Sequence, residues 1–148
     1  MKDNKRVRYW VGVASKDHVQ RGTSGGFAQF CHGKLNPVKS LAKDDWIIYY
    51  SGKEKFSEAK TCRKFTAIGQ VCDLKPYQVE QFIGFKPFRR NITYYNCNEI
   101  DIYPLIKQVA FIKNKEKWGL VFRRGFFELT KEDFSLIASK MLVGELVV

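Results

Sequence analysis

Cys31 and His32 are neighbours in the chain, and their side chains are of the types that serve as a nucleophile and its base. Adjacent residues on a strand point to opposite faces, so this thiol and this imidazole would not meet. Neither His18 nor His32 stands at a metal-ligand spacing from a cysteine or a pair of acidic residues. The chain also contains no Walker A and no GxGxxG sequence. We therefore expect no catalytic residue, no metal and no cofactor.

Aromatic residues crowd where predicted strands end and polar turns begin. They form three groups: Tyr9-Trp10 before Ser15, Phe27 before His32, and Trp46 with Tyr49-Tyr50 before Ser51. Flat rings at strand ends can sandwich a flat ligand, whose hydrogen-bonding edge Ser15 and Ser51 could then read. The alternative is that the same rings fill the hydrophobic core, and composition does not choose between the two.

Basic residues are also grouped along the chain. The groups are Lys34, Arg89-Arg90, Lys113 to Lys117, and Arg123-Arg124. Each arginine pair follows a phenylalanine, Phe88 or Phe122, which combines stacking with phosphate contact. Alternatively, one arginine of each pair faces solvent and the other forms an ion pair that stabilises the fold. Both interpretations can hold at once.

The overall charge favours a polyanionic partner. The 148 residues include 26 lysines and arginines against 15 acidic residues, which gives a net charge of +11. A strongly basic protein attracts nucleic acid, although many soluble proteins simply carry a solvated positive surface. Charge does not distinguish RNA from DNA, because both present the same phosphates.

The four cysteines and the first residues of the chain indicate a reducing compartment. Cys31, Cys62, Cys72 and Cys97 are widely spaced and contain no CxxC pair, so we expect free thiols and no zinc site. The charged start is not followed by an apolar stretch typical of a secretory signal. No apolar run is long enough to cross a bilayer. These features predict a cytoplasmic protein that does not contact a membrane.

The elements that must position these residues are mostly strands. β-branched, aromatic and apolar runs predict them at Val7–Ala14, Phe27–Cys31, Trp46–Ser51, Lys64–Leu74, Pro87–Tyr95 and Trp118–Arg123. Ser15 offers an N-cap for a helix that Gly22 ends, and Asp101 precedes another short helix. Thr130 begins a capping-box-like sequence ahead of a last helix with an apolar face. That face consists of Phe134, Ile137, Ala138 and Met141.

About six strands with short helices and no regular βαβ alternation predict an α+β protein built on a curled or closed mixed sheet. No repeat, low-complexity tract or linker interrupts the chain. We therefore expect one domain over residues 1–148.

Five blocks in this order resemble the EVE-domain family. They are YWVGVASKDHV (9–19), GGFAQFCHGK (25–34), DWIIYYS (45–51), PFRRN (87–91) and KxxWGLVFRRGFFE (115–128). The resemblance covers nearly the whole chain, and it implies a PUA-like fold, a small mixed β-barrel with flanking short helices. That fold is related to the YTH readers of methylated adenine in RNA and to ASCH domains. EVE domains are proposed to read modified bases in DNA or RNA, without a reaction of their own.

Carried onto this chain, the resemblance implies a base pocket and a phosphate-binding surface. The pocket would be lined by Trp10, Ser15, Phe27, Trp46, Tyr50 and Ser51, with His32 and Lys34 at its mouth. Phosphates would contact Lys34, Arg89, Arg90, Arg123 and Arg124. Phe27 stands where YTH proteins have a cage tryptophan, and its smaller ring offers less stacking surface.

Two other classes of function compete with a binding module for nucleic acid. One is a nucleic-acid-processing enzyme that uses His32 or Cys31. The sequence provides no paired acid and base, no metal site and no cofactor motif for such an enzyme. The other is a sensor of a small molecule or nucleotide, or a protein-interaction subunit, with an incidental basic surface. The salt dependence of binding separates the two binding hypotheses, because phosphate contacts release counterions.

Overall fold

The computed structural model describes residues 6–143, and the strands in this range form one eight-stranded sheet. The strands are β1 (Tyr9–Val13), β2 (Phe27–Ala28), β3 (Trp46–Lys53), β4 (Thr61–Val71), β5 (Tyr77–Gln78), β6 (Phe88–Tyr94), β7 (Ile100–Asp101) and β8 (Phe126–Leu129). Their order in the sheet is β2-β6-β4-β3-β1-β8, with β5 attached to β6 and β7 to β4.

The sheet is mixed, because β1 and β3 are parallel while the other pairs are antiparallel. A parallel pair needs a crossover connection, and the chain between β1 and β3 provides it with two helices and the edge strand β2. The sheet curls into a half-barrel with short helices around it. The predicted α+β class with a small mixed sheet is confirmed.

Within residues 6–143, three α-helices and three short 3₁₀ helices surround the sheet. The α-helices are α1 (Lys16–Gly25), α2 (Leu35–Ser40) and α3 (Lys131–Met141). The 3₁₀ helices span Cys31–Gly33, Tyr103–Leu105 and Trp118–Arg124. The helix predicted from Asp101 onward is therefore a single 3₁₀ turn.

Helix α1 begins where the sequence predicts but runs past Gly22. Gly22 accepts a backbone hydrogen bond from Gly26, whose positive φ of 74° ends the helix in the left-handed region. Gly22 serves packing instead, since a Cβ there would lie 2.8 Å from the carbonyl oxygen of Phe27.

The predicted strand at Trp118–Arg123 is wrong, because this segment is a 3₁₀ helix. Trp118, Val121 and Phe122 pack into the core at the i, i+3, i+4 spacing of a helix. The strand that pairs with β1 lies just beyond it, at Phe126–Leu129. Tertiary packing therefore overrides the β propensity of this aromatic and apolar run.

The two faces of the sheet carry separate hydrophobic clusters. On the α3 face, Val11 of β1 and Ile48 of β3 pack against Ile137 of α3. On the α1 face, Ile47 of β3 packs with Val19 of α1. Because successive strand residues point to opposite faces, each strand of the pair β1–β3 contributes to both clusters.

Helix α3 has the predicted cap and the predicted apolar face. The Thr130 hydroxyl accepts a hydrogen bond from the Asp133 amide at 3.1 Å. Asp133 stands where a capping box needs Glu or Gln, and its carboxylate instead accepts from the amides of Ala110 and Phe111 at 2.9–3.0 Å. The buried acid thus ties the loop before the last 3₁₀ helix to α3.

Candidate functional site

Trp10 and Trp46 lie on opposite faces of the sheet, so they do not share a pocket. In the parallel pair, Trp46 stands beside Tyr9 and not beside Trp10. Trp10, 6% exposed, donates its indole N–H to Asp45 at 3.0 Å on the α1 face. Trp46, 7% exposed, packs against Phe134 on the α3 face. The prediction that both rings line one base pocket is wrong, and both belong to the core.

Ser51 is not available to read a ligand. Its hydroxyl is buried and lies 2.8 Å from the Thr66 hydroxyl, with which it shares a hydrogen bond. Tyr50 is also 3% exposed, with its ring stacked on Phe122 at a centroid distance of 3.8 Å. Ser51 therefore does not line the predicted base pocket. Tyr50 lines a different cavity, which is described below.

Ser15 lies at the wrong end of α1 for a site that contains Phe27. Its hydroxyl donates to the Asp17 carboxylate at 2.6 Å, at the start of the helix. Phe27 follows the end of the same helix. A ten-residue helix rises roughly 15 Å. The structure does not bring the two side chains together.

Phe27 and Arg89 form a stacked pair at the β2 edge of the sheet. The Arg89 guanidinium carbon lies 3.7 Å from the centroid of the Phe27 ring, the distance of a close cation–π contact. Arg89 donates from Nε to Gln29 at 2.8 Å and from Nη2 to Gln81 at 3.0 Å. Gln29 in turn donates to Gln81 at 3.3 Å. We call these four side chains the Phe27–Arg89 platform.

The platform carries a half-buried positive charge. Among residues 6–143, no carboxylate forms an ion pair with Arg89. Burial lowers the pKa of its guanidinium, Tyr77 raises it, and the like charge of Arg21 lowers it further. An arginine keeps its proton in proteins, so the charge persists. A cation in this position attracts an anion from outside the protein.

Arg90, the next residue, has a structural role. It is 1% exposed, and its Nε donates to the Asp73 carboxylate at 2.6 Å. The other guanidinium nitrogens donate to the carbonyl oxygens of Val38, Leu41 and Asp73. The prediction that Arg90 contacts phosphate is wrong, because every part of its guanidinium is used inside the protein.

His32 and Lys34 project from a turn beside the platform. Cys31, His32 and Gly33 all have positive φ, at 52°, 64° and 79°. Gly33 packs on Pro87, since a Cβ there would lie 2.3 Å from that ring, and this contact holds the turn against the start of β6. Left-handed backbone is costly for residues other than glycine and is concentrated at functional sites. Both His32 and Lys34 are exposed.

A second site lies in a cleft of about 680 Å³ that shares no residue with the platform. Its aromatic lining comes from Tyr50, Phe122 and the partly exposed Trp118. We call it the Tyr50–Trp118 cleft. Its basic residues are Lys53, Arg63, Lys117 and Arg123. Of these residues the sequence singled out Tyr50, Arg123 and Lys117 but missed Lys53, Arg63 and Trp118.

The sequence contains little that would have identified Lys53, Arg63 and Trp118 as residues of the cleft. Trp118 stands beside the basic Lys113 to Lys117 group, a combination that could have marked it. Arg63 lines the cleft because of a backbone irregularity in β4. No local sequence motif predicts that irregularity. Arg124 is exposed, and its guanidinium lies 5.5 Å from the Phe127 ring centroid. Its contact with phosphate stays a prediction.

The cysteines form no disulfide in the structure. Burial raises the pKa values of Cys31, Cys62 and Cys97, which favours the unreactive thiol form. Among residues 6–143, no group of three histidine, cysteine or acidic side chains is placed to hold a metal ion. In the same range, no helix combines the length and apolar character that crossing a membrane requires.

The curled mixed sheet and its short flanking helices define a small α+β domain. The chain belongs to the EVE domain family, whose model matches residues 8–140. Among its relatives, the UPF0310 protein in the gntR 5' region of Bacillus licheniformis is 48% identical over 128 residues, 86% of this chain and 87% of the relative. UPF0310 protein YdcG of Bacillus subtilis is 42% identical over 138 residues, 93% of this chain and 94% of the relative.

Solved structures show the same fold at low sequence identity. Protein PSPTO5229 from Pseudomonas syringae matches with a TM-score of 0.58 and 14% identity, over 88% of this chain and 97% of that one. Protein Atu2648 from Agrobacterium tumefaciens matches with a TM-score of 0.55 and 13% identity, over 90% and 92% of the two chains. At these identities the likeness shows the architecture alone.

Proposed function

We propose that this protein is a non-catalytic module that binds RNA or DNA and holds one base, a modified one, on the Phe27–Arg89 platform. The observation that carries the proposal is the Arg89 guanidinium, which is stacked on an aromatic ring, fixed by two glutamines and not paired with any carboxylate of residues 6–143. Single-stranded bases stack on aromatic rings and on arginine planes in this manner.

The glutamines of the platform provide groups that can read a base edge. The Gln81 side-chain oxygen accepts from both Arg89 and Gln29, which fixes the orientation of the amide. Its amide nitrogen has no hydrogen-bond partner within the described part of the chain. A fixed amide with free N–H donors distinguishes bases by the acceptors on their edges.

Exposed cations beside the platform would contact the phosphates. Lys34 follows Gly33 in the chain, and Lys86 precedes Pro87. Because Gly33 contacts Pro87, the backbones of the two lysines lie close together. In the described structure neither lysine forms an ion pair. Phosphate contacts of this kind position a strand without reading its sequence.

A binding role without catalysis is supported by the chemistry of Cys31, the thiol in the turn beside the platform. Burial raises the pKa of its thiol, although Lys34 lowers it in part. A thiol of raised pKa is a poor nucleophile at neutral pH. Its neighbour His32 is exposed and held in a left-handed backbone.

The proposal is tested by titrating the protein with short RNA and DNA oligonucleotides that carry a panel of modified and unmodified bases. Phe27→Leu removes the stacking ring and should weaken the preferred oligonucleotide at least about tenfold, since one stacked base is worth roughly 1–3 kcal/mol. Gln81→Ala should reduce discrimination between bases more than it reduces affinity. Lys140→Ala, an exposed residue of α3 outside the platform, is the charge control. Affinities that are equal in the wild type and in Phe27→Leu would remove the platform as the site.

A further inference from the structure

The Tyr50–Trp118 cleft shares no residue with the platform, and its wall suits a planar ligand. Its floor is the stacked pair of Tyr50 and Phe122. Trp118 stands at a steep angle of 75° to the Phe122 ring and of 74° to the Tyr103 ring, and it remains partly exposed. The volume of about 680 Å³ lies within the range of pockets that bind small ligands.

Tyr50 is a buried residue whose hydroxyl has no hydrogen-bond partner among residues 6–143. The neighbouring Tyr49 donates its hydroxyl to the Gln29 carbonyl at 2.9 Å, whereas the Tyr50 hydroxyl makes no hydrogen bond to any of residues 6–143. No fully buried side-chain oxygen or nitrogen in that range lacks a partner, so this hydroxyl must reach the cleft surface. Burial raises the pKa of Tyr50, which keeps the group protonated and able to donate to a ligand.

The rim of the cleft has an excess of unpaired positive charge. Of the described residues, four basic side chains line it, against the single carboxylate of Glu116. None of the four forms an ion pair with a carboxylate in the described structure. Exposed lysines and arginines that converge on one cavity focus a positive potential there.

Arg63 is held at the cleft by an irregular backbone. The pairing of β3 with β4 shifts between Ser51 and Lys53, where β4 carries an extra residue, and Arg63 there has a φ of 58°. A bulge of this kind redirects a side chain. Arg63 donates to the Tyr103 hydroxyl at 2.6 Å, and its guanidinium carbon lies 6.0 Å from the Trp118 ring centroid. A costly backbone conformation thus fixes a cation beside the aromatic wall.

We infer that the Tyr50–Trp118 cleft binds one nucleotide unit, with its base against Trp118 and its phosphate near Arg63 and the Tyr50 hydroxyl. An aromatic base accounts for the exposed ring, and a phosphate accounts for the unpaired cations and the free hydroxyl donor. The unit comes either from a free nucleotide or from a nucleic acid strand, because both present the same chemistry. This site stands independently of the platform.

Tryptophan fluorescence provides a direct test on the full chain. Of its three tryptophans, Trp10 and Trp46 are buried and Trp118 is partly exposed, so quenching by a stacked base reports on the cleft. The titrants are adenosine 5′-monophosphate, adenosine, inorganic phosphate and an unmodified oligoadenylate. We expect saturable quenching by the monophosphate or the oligonucleotide, with adenosine and phosphate at least about tenfold weaker. Trp118→Phe should abolish the signal.

Two variants assign the contacts. Arg63→Gly removes the guanidinium but suits the positive φ. It should weaken binding at least about tenfold, because a hydrogen bond between a charged donor and a phosphate is lost. Tyr50→Phe removes only the hydroxyl and should weaken binding about threefold to tenfold. Thermal unfolding verifies that both variants are folded, and Lys140→Ala should bind like the wild type.

The outcomes distinguish a free nucleotide from a nucleic acid strand as the ligand, and the cleft from the platform as the binding site. Quenching by the monophosphate identifies a site for free nucleotide, and quenching by the oligonucleotide alone identifies a site for a unit of a strand. Binding that Arg63→Gly weakens and Phe27→Leu leaves unchanged supports the cleft even if the platform binds nothing. The inference is overturned if no titrant quenches, or if Arg63→Gly and Tyr50→Phe, both folded, bind as the wild type does.

Discussion

Arg89 and Arg90 show how two identical neighbours acquire different roles. On a strand they point to opposite sides, so one side chain enters the protein and the other lies across the sheet edge. Arg90 is 1% exposed and neutralised by Asp73, and its remaining donors bond the carbonyls of Val38 and Leu41 at the C-terminal end of α2 and the carbonyl of Asp73. Arg89 rests on Phe27 with amide partners alone. The first arrangement supports stability, and the second leaves a charge that no carboxylate among residues 6–143 neutralises.

Arg90→Ala should therefore destabilise the fold, and Arg89→Ala should not. Removing one partner of a buried ion pair costs about 3–5 kcal/mol, and here it also leaves carbonyl oxygens without donors. Arg89→Ala should stay within about 1 kcal/mol of the wild type in urea unfolding and lose oligonucleotide affinity. Equal losses of stability in the two variants would contradict this division of roles.

The four cysteines differ in burial, and we expect their thiols to differ in reactivity for that reason. Cys72 is exposed, whereas burial raises the pKa of Cys31, Cys62 and Cys97. A thiol-specific reagent at neutral pH should label Cys72 first, and the other three should react fully only after unfolding. Cys72→Ser should eliminate the fast phase. Rapid labelling that survives in Cys72→Ser would show that one of the other thiols is activated.

At the scale of elements, the segment from Trp118 to Phe126 determines both the cleft and the edge of the sheet. Its 3₁₀ helix places Trp118 and Phe122 in the cleft wall. Gly125 then ends the helix with a φ of 77°, and its carbonyl accepts from Val13 at 2.9 Å. The chain can therefore leave the helix and enter β8 beside β1 without an intervening loop.

Two glycine substitutions test this connection. Gly125→Ala should cost about 1–2 kcal/mol for its left-handed backbone, and its Cβ would also lie 3.0 Å from the Cys31 sulfur. Gly119→Ala, in the same helix, meets no atom within 4 Å and should be neutral or slightly stabilising. Thermal unfolding should separate the two by roughly 2–4 °C for each kcal/mol. Equal midpoints would show that Gly125 is not required for the turn.

At the scale of the whole molecule, the positive charge is divided between two separate surfaces. The excess of +11 includes cations around the platform and cations around the cleft, on different parts of the curled sheet. The C-terminal segment is the acidic part of the chain, and α3 carries Glu132 and Asp133 in its first turn. Phosphate contacts at either surface would add their own counterion release to binding.

Salt titration of oligonucleotide binding measures these contributions. For a single strand, each phosphate contact adds about −0.7 to the slope of log K against log salt concentration. Lys34→Ala should reduce the magnitude of the slope by about that amount and weaken all oligonucleotides alike. Lys140→Ala should leave the slope unchanged. A slope near zero in the wild type would exclude phosphate contact and favour an uncharged or protein partner.

The sequence by itself determined the class of fold and most of its elements. Strand propensity placed β1, β3, β4 and β6 to within a few residues, and Thr130 with its apolar spacing placed α3. These features are local, because they depend on alternation, caps and turn residues that a short window contains. The basic composition and the family resemblance are likewise properties of the linear chain.

Only the tertiary structure decided which aromatic and basic residues meet. Register placed Trp10 and Trp46 on opposite faces, α1 separated Ser15 from Phe27, and strand alternation buried Arg90 beside an exposed neighbour. The residues that line the cleft come from four distant segments joined by a bulge and a 3₁₀ turn. Such sites depend on pairings between distant parts of the chain, and a sequence pattern that specifies each strand does not specify which strands become neighbours.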